Sequence, residues 1–300
     1  ISKYDKLKNI EDFANKVDVI TFEFENIPFK VLEYISKLKP VFPKPSINQI
    51  VQNRFTEKKF INNIGIRTTN YALIKNQFDI LNNEDLFPGL LKTCTLGYDG
   101  KGQFVLNSKE KASELGIKFD KEYILEKKIE LKKEISIIIT RFLNNDFAIY
   151  EPVENLHIKQ MLSRSTIPAK IDKVISEKAQ QQAKMIAEKL DYVGTMCVEY
   201  FIDEKNNLFV NEIAPRVHNS GHLTINTHNV SQFENHIRAV CNLEKVELKK
   251  IYNAEMINII GGEIKTYREK SYSKNEFFFD YAKSEIKEKR KMGHLTTIKP

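Results

Sequence analysis

No apolar run in this chain approaches the roughly 20 residues that a membrane-spanning helix needs, so an integral helical membrane protein is excluded as an expectation. Cysteine is scarce. Cys94, Cys197 and Cys241 are odd in number, far apart and without CxxC or other ligand spacing. Neither a disulfide framework nor a thiolate metal site is expected, and reduced thiols of a cytoplasmic protein are. The two glycine fingerprints of phosphate loops, GxxxxGK[ST] and GxGxxG, do not occur. No basic–apolar leader is visible. The chain opens on Ile1 with text that reads like the middle of a domain, and an N-terminally incomplete fragment is the expectation.

What is present is the composition of a soluble globular protein: 300 residues, 41% hydrophobic and 29% charged, enough for one to three domains. The formal net charge of +7 raises the question of nucleic acid. The basic residues are dispersed, however. The one dense cluster is Lys283–Lys291, and no RNP, KH or helix-turn-helix pattern accompanies it. A basic nucleic-acid-binding protein is therefore kept only as the weakest alternative.

The most informative stretch runs from Val193 to Ile225. Two apolar runs, Thr195–Ile202 and Leu208–Ile213, flank a polar turn at 203–207, which predicts a hairpin. With Lys205-Asn206 at the tip, Phe201 is expected opposite Val210 and Glu199 opposite Glu212. Directly opposed carboxylates repel, unless a divalent cation lies between them. Pro215 then breaks the strand, and Arg216, His218, Asn219 and His222 follow, a donor-rich segment suited to an anion such as phosphate.

Along the rest of the chain, Lys16–Phe24 reads as a parallel strand and Phe29–Lys37 as a helix opened by Pro28, the last βα unit of a doubly wound domain. A helix over Ile47–Ile64 is predicted, N-capped by Ser46 and ended by Gly65. Arg54 and Lys58 share one face of it, and spacing alone favours solvent-facing charges there. Strands are predicted at Gly89–Thr95 and Phe104–Leu106. Between them Gly97, Gly100 and Gly102 allow backbone N–H groups to converge on an anion, with Lys92 and Lys101 on either side. Tyr123–Lys128, Glu134–Arg141 and Phe147–Pro152 read as an antiparallel sheet, Glu126 and Glu134 bracketing a hairpin. His157 stands at a polar strand end. Helices follow at Glu177–Leu190 and Ser231–Leu243, then short β pieces at Ala254–Ile260, Lys265–Tyr267 and Phe277–Ala282.

The motifs GYDGKGQ at 97–103, VEYF at 198–201, VNEIAPRVHNSGH at 210–222, SQFENHIRA at 231–239, RKMGH at 290–294 and TFEFENIP at 21–28 together resemble the N5-carboxyaminoimidazole ribonucleotide synthetase family, ATP-grasp enzymes of bacterial and fungal purine synthesis. The likeness covers essentially the whole chain. It implies an α/β (α+β) fold of three parts: a remnant of an N-terminal doubly wound pre-ATP-grasp domain at 1–45, an ATP-grasp domain at 46–243 with a lid at about 72–152, and a small C-terminal β domain at 244–300. It also implies ATP- and bicarbonate-dependent carboxylation of 5-aminoimidazole ribonucleotide by way of carboxyphosphate, with Mg²⁺, in a cytoplasmic homodimer that has no nucleic-acid or membrane partner.

The site residues carried over are as follows. Arg54 and Lys92 approach the ATP phosphates, and Gly97, Tyr98, Asp99, Gly100, Lys101, Gly102 and Gln103 close over them. Glu126, Lys127, Lys128 and Ile129 hold the adenine edge, Glu134 holds the ribose, and His157, Asn211 and Glu212 are near the nucleotide. Glu199 and Glu212 carry Mg²⁺. Tyr98 and Asp99, with Lys101, face the aminoimidazole nucleotide, and Lys283 and Arg290 take its phosphate. Arg216 and His218, together with Lys101, act in catalysis. Lys289 and Glu288 depart from the family's usual Gly and Pro before Arg-Lys. The alternatives are another ATP-grasp carboxylase or ligase, such as a formate-dependent transformylase or a biotin carboxylase-like enzyme.

Overall fold

The computed structural model describes residue 4 and residues 6–96, 102–114 and 116–299. Three sheets organise it. A two-stranded parallel pair, Ile20–Thr21 with Val41–Phe42, packs with the helices Leu7–Ala14 and Phe29–Ser36 around Ile27, Leu32 and Ile35. The predicted parallel strand is thus present, although only two residues of it pair. A four-stranded antiparallel sheet orders Tyr71–Ile74, Tyr123–Lys127, Gly89–Thr93 and Gln103–Leu106 side by side. The third sheet has nine strands. It runs Leu208–Ala214, Gly194–Asp203, Leu131–Arg141, Val153–Ile158, Met161–Ile167, Asn253–Ile260, Lys291–Lys299, Glu276–Asp280, with Phe147–Ile149 paired to the third of these. The C-terminal strands therefore extend the central sheet through the pairing of Met161–Ile167 with Asn253–Ile260.

The central sheet buries one face under the helix Lys173–Lys189. Its inward stripe Ile175, Ala179, Ala183, Ile186 and Ala187 meets Ile135, Ile137, Ile139 and Met196 from the strands. Each fully buried branched side chain there contributes about 1.5–3 kcal/mol by leaving water. The Tyr200 hydroxyl, fully buried, donates to the Ala179 carbonyl at 2.9 Å and so avoids an unpaired polar group.

Several expectations need correction. Tyr123–Lys127 and Leu131–Arg141 do not form a hairpin: they belong to different sheets, and the three residues between them are the crossover from one lobe to the other. The run 47–64 is two helices, Pro45–Val51 and Arg54–Asn63. Asn53 leaves the helical region and its side chain accepts from the N–H groups of Phe55 and Thr56, a cap inside the apolar pattern. Lys44 rather than Ser46 is the first cap, with Pro45 in the opening turn. Residues 264–269 are helical, not strand. The strand Met161–Ile167 had no counterpart in the sequence reading. Gly65, at φ +80°, ends the second helix as anticipated.

Candidate active site

A cleft of about 590 Å³ opens between the four-stranded lobe and the central sheet, lined by residues of both and by Glu25 of the N-terminal segment. Its floor is the hairpin Gly194–Asp203/Leu208–Ala214. Glu199 does face Glu212, but Tyr200 pairs with Val210 and Phe201 with Phe209, so Phe201 is not opposite Val210. The register shifts by one residue at Asn211, a β-bulge. The extra residue sends its amide to Glu199 Oε2 at 3.3 Å, so Glu199, Asn211 and Glu212 all reach the cleft.

Electrostatics at the floor follow from burial and crowding. Glu199 is pushed up to about 7, first by desolvation and then by Glu212. Glu212 stays below the usual carboxylate value: burial would raise it, but Arg54, whose Nη1 donates to Glu212 Oε2 at 2.9 Å, more than offsets that. Glu57, buried, accepts from the Ile213 N–H at 2.6 Å and is raised to about 8 by desolvation and by Glu212. Among the described residues no group of three or more His, Cys, Asp or Glu side chains is placed to hold a metal ion. Two opposed carboxylates, one of them raised by burial and then by the other, suit a hard cation that takes the rest of its shell from water and phosphate oxygens, as Mg²⁺ does.

The second helix places Arg54, Glu57 and Lys58 at positions i, i+3 and i+4, all turned inward. The expectation of solvent-facing charges is wrong for Lys58, which is 1% exposed. Its Nζ lies 3.4 Å from Glu126 Oε2 and donates to the Asn211 carbonyl at 3.3 Å. Lys92 Nζ donates to the same Glu126 oxygen at 3.1 Å, and Thr69 Oγ1 does so at 3.4 Å. Burial would raise the Glu126 carboxyl, but Lys58, Lys92 and Arg54 hold it down to about 2. Its Oε2 is thus held by the lysines, while its Oε1 is buried with no hydrogen-bond partner among the described residues, in a residue that lines the cleft. Lys127 at the end of the same strand, and Lys128 and Ile129 of the crossover, line the cleft.

Glu134 and His157 pair at 2.5 Å on the cleft wall. Burial alone would lower the imidazole, and Glu134 raises it. Arg216 donates to Glu25 Oε1 at 2.8 Å and to the Val217 carbonyl. Gln232 fixes the next turn by accepting from the His218 N–H and donating to the His218 carbonyl. A Cβ on Gly221 would lie 2.4 Å from Gln232 Oε1, so a larger residue there would displace the amide that holds this turn. His218 is kept neutral by desolvation and by Arg216.

Gly102 and Gln103 are described, with Gly102 at φ +72° and Gln103 on the cleft wall. Gly97, Tyr98, Asp99, Gly100 and Lys101 lie outside the described residues. Lys283 and Arg290 do not line the cleft. Lys283 donates to the Lys291 carbonyl and sits over the Tyr281 ring, and Arg290 donates to the Glu285 carbonyl. Lys291 does line the cleft. It was not singled out from the sequence, nor were Glu25 and Glu57, and Lys58 was read there only as a solvent-facing charge. The first two come from distant segments that only the fold brings together. Glu57 and Lys58 are charges in a helix whose inward face periodicity alone did not mark.

Comparison with known proteins agrees with this architecture. Residues 59–233 match the ATP-grasp domain, residues 1–52 the ribonucleotide synthetase preATP-grasp domain, and residues 254–300 the phosphoribosylaminoimidazole carboxylase C-terminal domain. The fold and the cleft are those of an ATP-grasp ligase. N5-carboxyaminoimidazole ribonucleotide synthase of Bacillus subtilis is 37% identical over 300 residues, 99% of this chain and 79% of the relative. That of Brucella melitensis is 37% identical over 305 residues, covering 100% and 84%. The crystal structure of the Staphylococcus aureus synthetase complexed with ADP superposes with a TM-score of 0.92 at 36% identity, covering 99% of this chain and 81% of that one. The Aspergillus clavatus synthase in complex with ADP and 5-aminoimidazole ribonucleotide gives 0.92 at 27%, covering 100% and 81%. The chain belongs to the N5-carboxyaminoimidazole ribonucleotide synthase family, ATP-dependent ligases that carboxylate 5-aminoimidazole ribonucleotide in purine biosynthesis. The transformylase, biotin carboxylase-like and nucleic-acid alternatives give way to it. No helix among the described residues is long and apolar enough to cross a membrane.

Proposed function

We propose the following division of labour for the family reaction in this chain. ATP lies in the cleft with its adenine at the crossover Lys127–Ile129 and its ribose toward Glu134 and His157. Its phosphates run toward Lys92, Arg54 and the hairpin floor, and the family resemblance assigns Gly97–Gln103 to cover them. Glu199 and Glu212 would hold Mg²⁺, with Asn211 beside them, and the cation would supply neutralisation of phosphate charge there.

Phosphoryl transfer needs in-line positioning and cancellation of charge on equatorial oxygens more than covalent help from the protein. Arg54 and Lys92 supply that cancellation, each charge-assisted contact being worth about 1.5–3 kcal/mol. Bicarbonate sits by Arg216 and His218 and attacks the terminal phosphorus to give carboxyphosphate and ADP. Carboxyphosphate then passes its carboxyl carbon to the exocyclic amine of 5-aminoimidazole ribonucleotide, and phosphate leaves. Tyr98, Asp99 and Lys101 face that substrate, and Lys283, Arg290 and Lys291 form the basic rim for its 5′-phosphate. Exclusion of water from the cleft protects carboxyphosphate from hydrolysis. The working enzyme is a cytoplasmic homodimer, a reading that rests on family resemblance.

The observation that carries this proposal is the opposed pair Glu199–Glu212 beside Arg54 at the floor of an inter-lobe cleft. The test is phosphate release from ATP measured with and without Mg²⁺, bicarbonate and 5-aminoimidazole ribonucleotide. Release that needs Mg²⁺ and bicarbonate and rises with the ribonucleotide is expected. Release indifferent to bicarbonate would refute it.

A further inference from the structure

Behind His218 the structure holds a line of buried polar side chains that no step above uses. Ser165 Oγ donates to Asn155 Oδ1 at 2.9 Å, and Asn155 Nδ2 donates to Ser136 Oγ at 3.0 Å. Ser136 Oγ lies 2.7 Å from Ser220 Oγ, which lies 2.8 Å from His218 Nδ1. Ser136, Ser165 and Ser220 are 0% exposed and Asn155 is 7% exposed. The line crosses three adjacent strands and ends on the turn at 219–221. Four buried polar groups in a row would be costly if unpaired. Here each is satisfied by the next.

The direction of these bonds is set by groups that can only donate. The Asn155 amide nitrogen has no acceptor role, so Ser136 Oγ accepts from it, while between Ser136 and Ser220 either hydroxyl can be the donor. At the other end the Ser220 backbone N–H also donates to His218 Nδ1, at 3.3 Å. An N–H cannot accept, so Nδ1 must present its lone pair. The ring proton is then on Nε2, which lies 3.2 Å from Glu199 Oε1 and faces the cleft.

We infer that Ser220, backed by Ser136 and Asn155, is a positioning residue that fixes His218 in the Nε2–H tautomer. His218 thereby offers the bicarbonate site a hydrogen-bond donor and not a base. This rests on the reading of His218 as a bicarbonate contact. It deepens that reading by assigning what the imidazole does: it donates to an oxygen of bicarbonate and of carboxyphosphate, and takes no proton from either. Partners that orient a functional imidazole are worth about 10- to 100-fold in activity in comparable sites.

The test has two arms. Nitrogen-15 NMR of the intact protein labelled at histidine, with the His218 signals identified by their loss in His218→Gln, is expected to show Nε2 protonated and Nδ1 bare. A proton on Nδ1 in the wild-type protein overturns the inference whatever the enzymatic result. In the second arm Ser220→Ala and Ser136→Ala are compared. Each is expected to raise the KM for bicarbonate or lower bicarbonate-dependent phosphate release by about 10- to 100-fold, with the KM for ATP unchanged; the Ser220 N–H, which both variants keep, still faces Nδ1, so the His218 signals are expected to shift in position while Nε2 stays protonated. Folded variants with wild-type bicarbonate kinetics and unmoved signals also overturn it. If wild-type phosphate release ignores bicarbonate, the functional reading fails, while the NMR arm still decides the tautomer.

Discussion

Glu199 and Glu212 stand directly opposite one another across the hairpin because Asn211 is bulged out of the ladder. Without the bulge, the register that pairs Phe201 with Phe209 would set Glu199 against Asn211. One extra residue thus turns a carboxylate–amide pair into a carboxylate–carboxylate pair and keeps the amide at its side. The arrangement costs stability in the absence of a cation, which shows in the Glu199 carboxyl being pushed up to about 7 by burial and by Glu212. Glu212→Gln is expected to abolish most phosphate release, by about 10²–10³-fold, since it removes one carboxylate and the negative charge that faces Arg54. Wild-type-like release from a folded variant would remove Glu212 from the metal role.

Cation-free stability should depend on pH through Glu57. Its carboxyl is raised from the ordinary value to about 8 by desolvation first and Glu212 second. A raised acid keeps its proton in the fold after the unfolded chain has lost it, so its contribution is whole below the unfolded value of 4.5 and is lost as pH rises through about 8. With chelator present, Tm is expected to fall between pH 5 and 8, and Glu57→Gln should flatten that decline. A variant whose Tm follows the wild-type slope would show that Glu57 does not titrate in this window.

Lys58 and Lys92 converge on one buried carboxylate oxygen of Glu126. Removing one cation from such a cluster leaves the carboxylate partly uncompensated, a loss that typically runs to about 3–5 kcal/mol. Lys58→Met is expected to lower the urea midpoint accordingly. Pairing it with Glu126→Gln should restore part of the loss, because the uncompensated charge is then gone. If the double variant is no more stable than the single one, the cluster is held by something other than charge.

Much of this site was legible because its chemistry is local in sequence. Glu199 and Glu212 could be matched by counting back from the turn, and Arg216 and His218 follow within six residues of the second strand. The bulge was not legible, since nothing in VNEI announces which residue leaves the ladder. The split helix at Asn53 was masked by apolar residues that continue on both sides, and with it the inward turn of Lys58. Met161–Ile167 alternates weakly, because its inward positions include Ser165, which is polar and buried for the sake of Asn155. Glu25 and Lys291 stand far from the hairpin in sequence, and only the assembled sheets bring them to the same cleft.

Arg216 donates to Glu25 across the junction with the N-terminal segment and to the carbonyl of the adjacent Val217. Burial raises the Glu25 carboxyl, while Arg216 lowers it. Arg216→Ala is expected to remove bicarbonate-dependent phosphate release while ADP still raises Tm by mass action. Arg216→Lys should recover little, since one ammonium cannot replace a planar fork that binds two partners. Full activity of the lysine variant would make Arg216 a simple point charge.

On the proposed reading, the basic rim of Lys283, Arg290 and Lys291 holds the ribonucleotide phosphate. Lys283 is lowered by partial burial and by Arg290 and Lys291, so the three cations crowd one another before any anion arrives. A dianionic phosphate relieves that repulsion, and the family reading assigns Lys283 and Arg290 to it. The structure adds Lys291, which reaches the cleft lining while its carbonyl anchors Lys283. Each lost charge-assisted contact costs about 1.5–3 kcal/mol, roughly 10- to 150-fold in affinity. Arg290→Ala and Lys291→Ala are therefore each expected to raise the KM for 5-aminoimidazole ribonucleotide on that scale and to spare the KM for ATP. An unchanged ribonucleotide KM in Arg290→Ala, with a large rise in Lys291→Ala, would move the phosphate from the rim into the cleft itself.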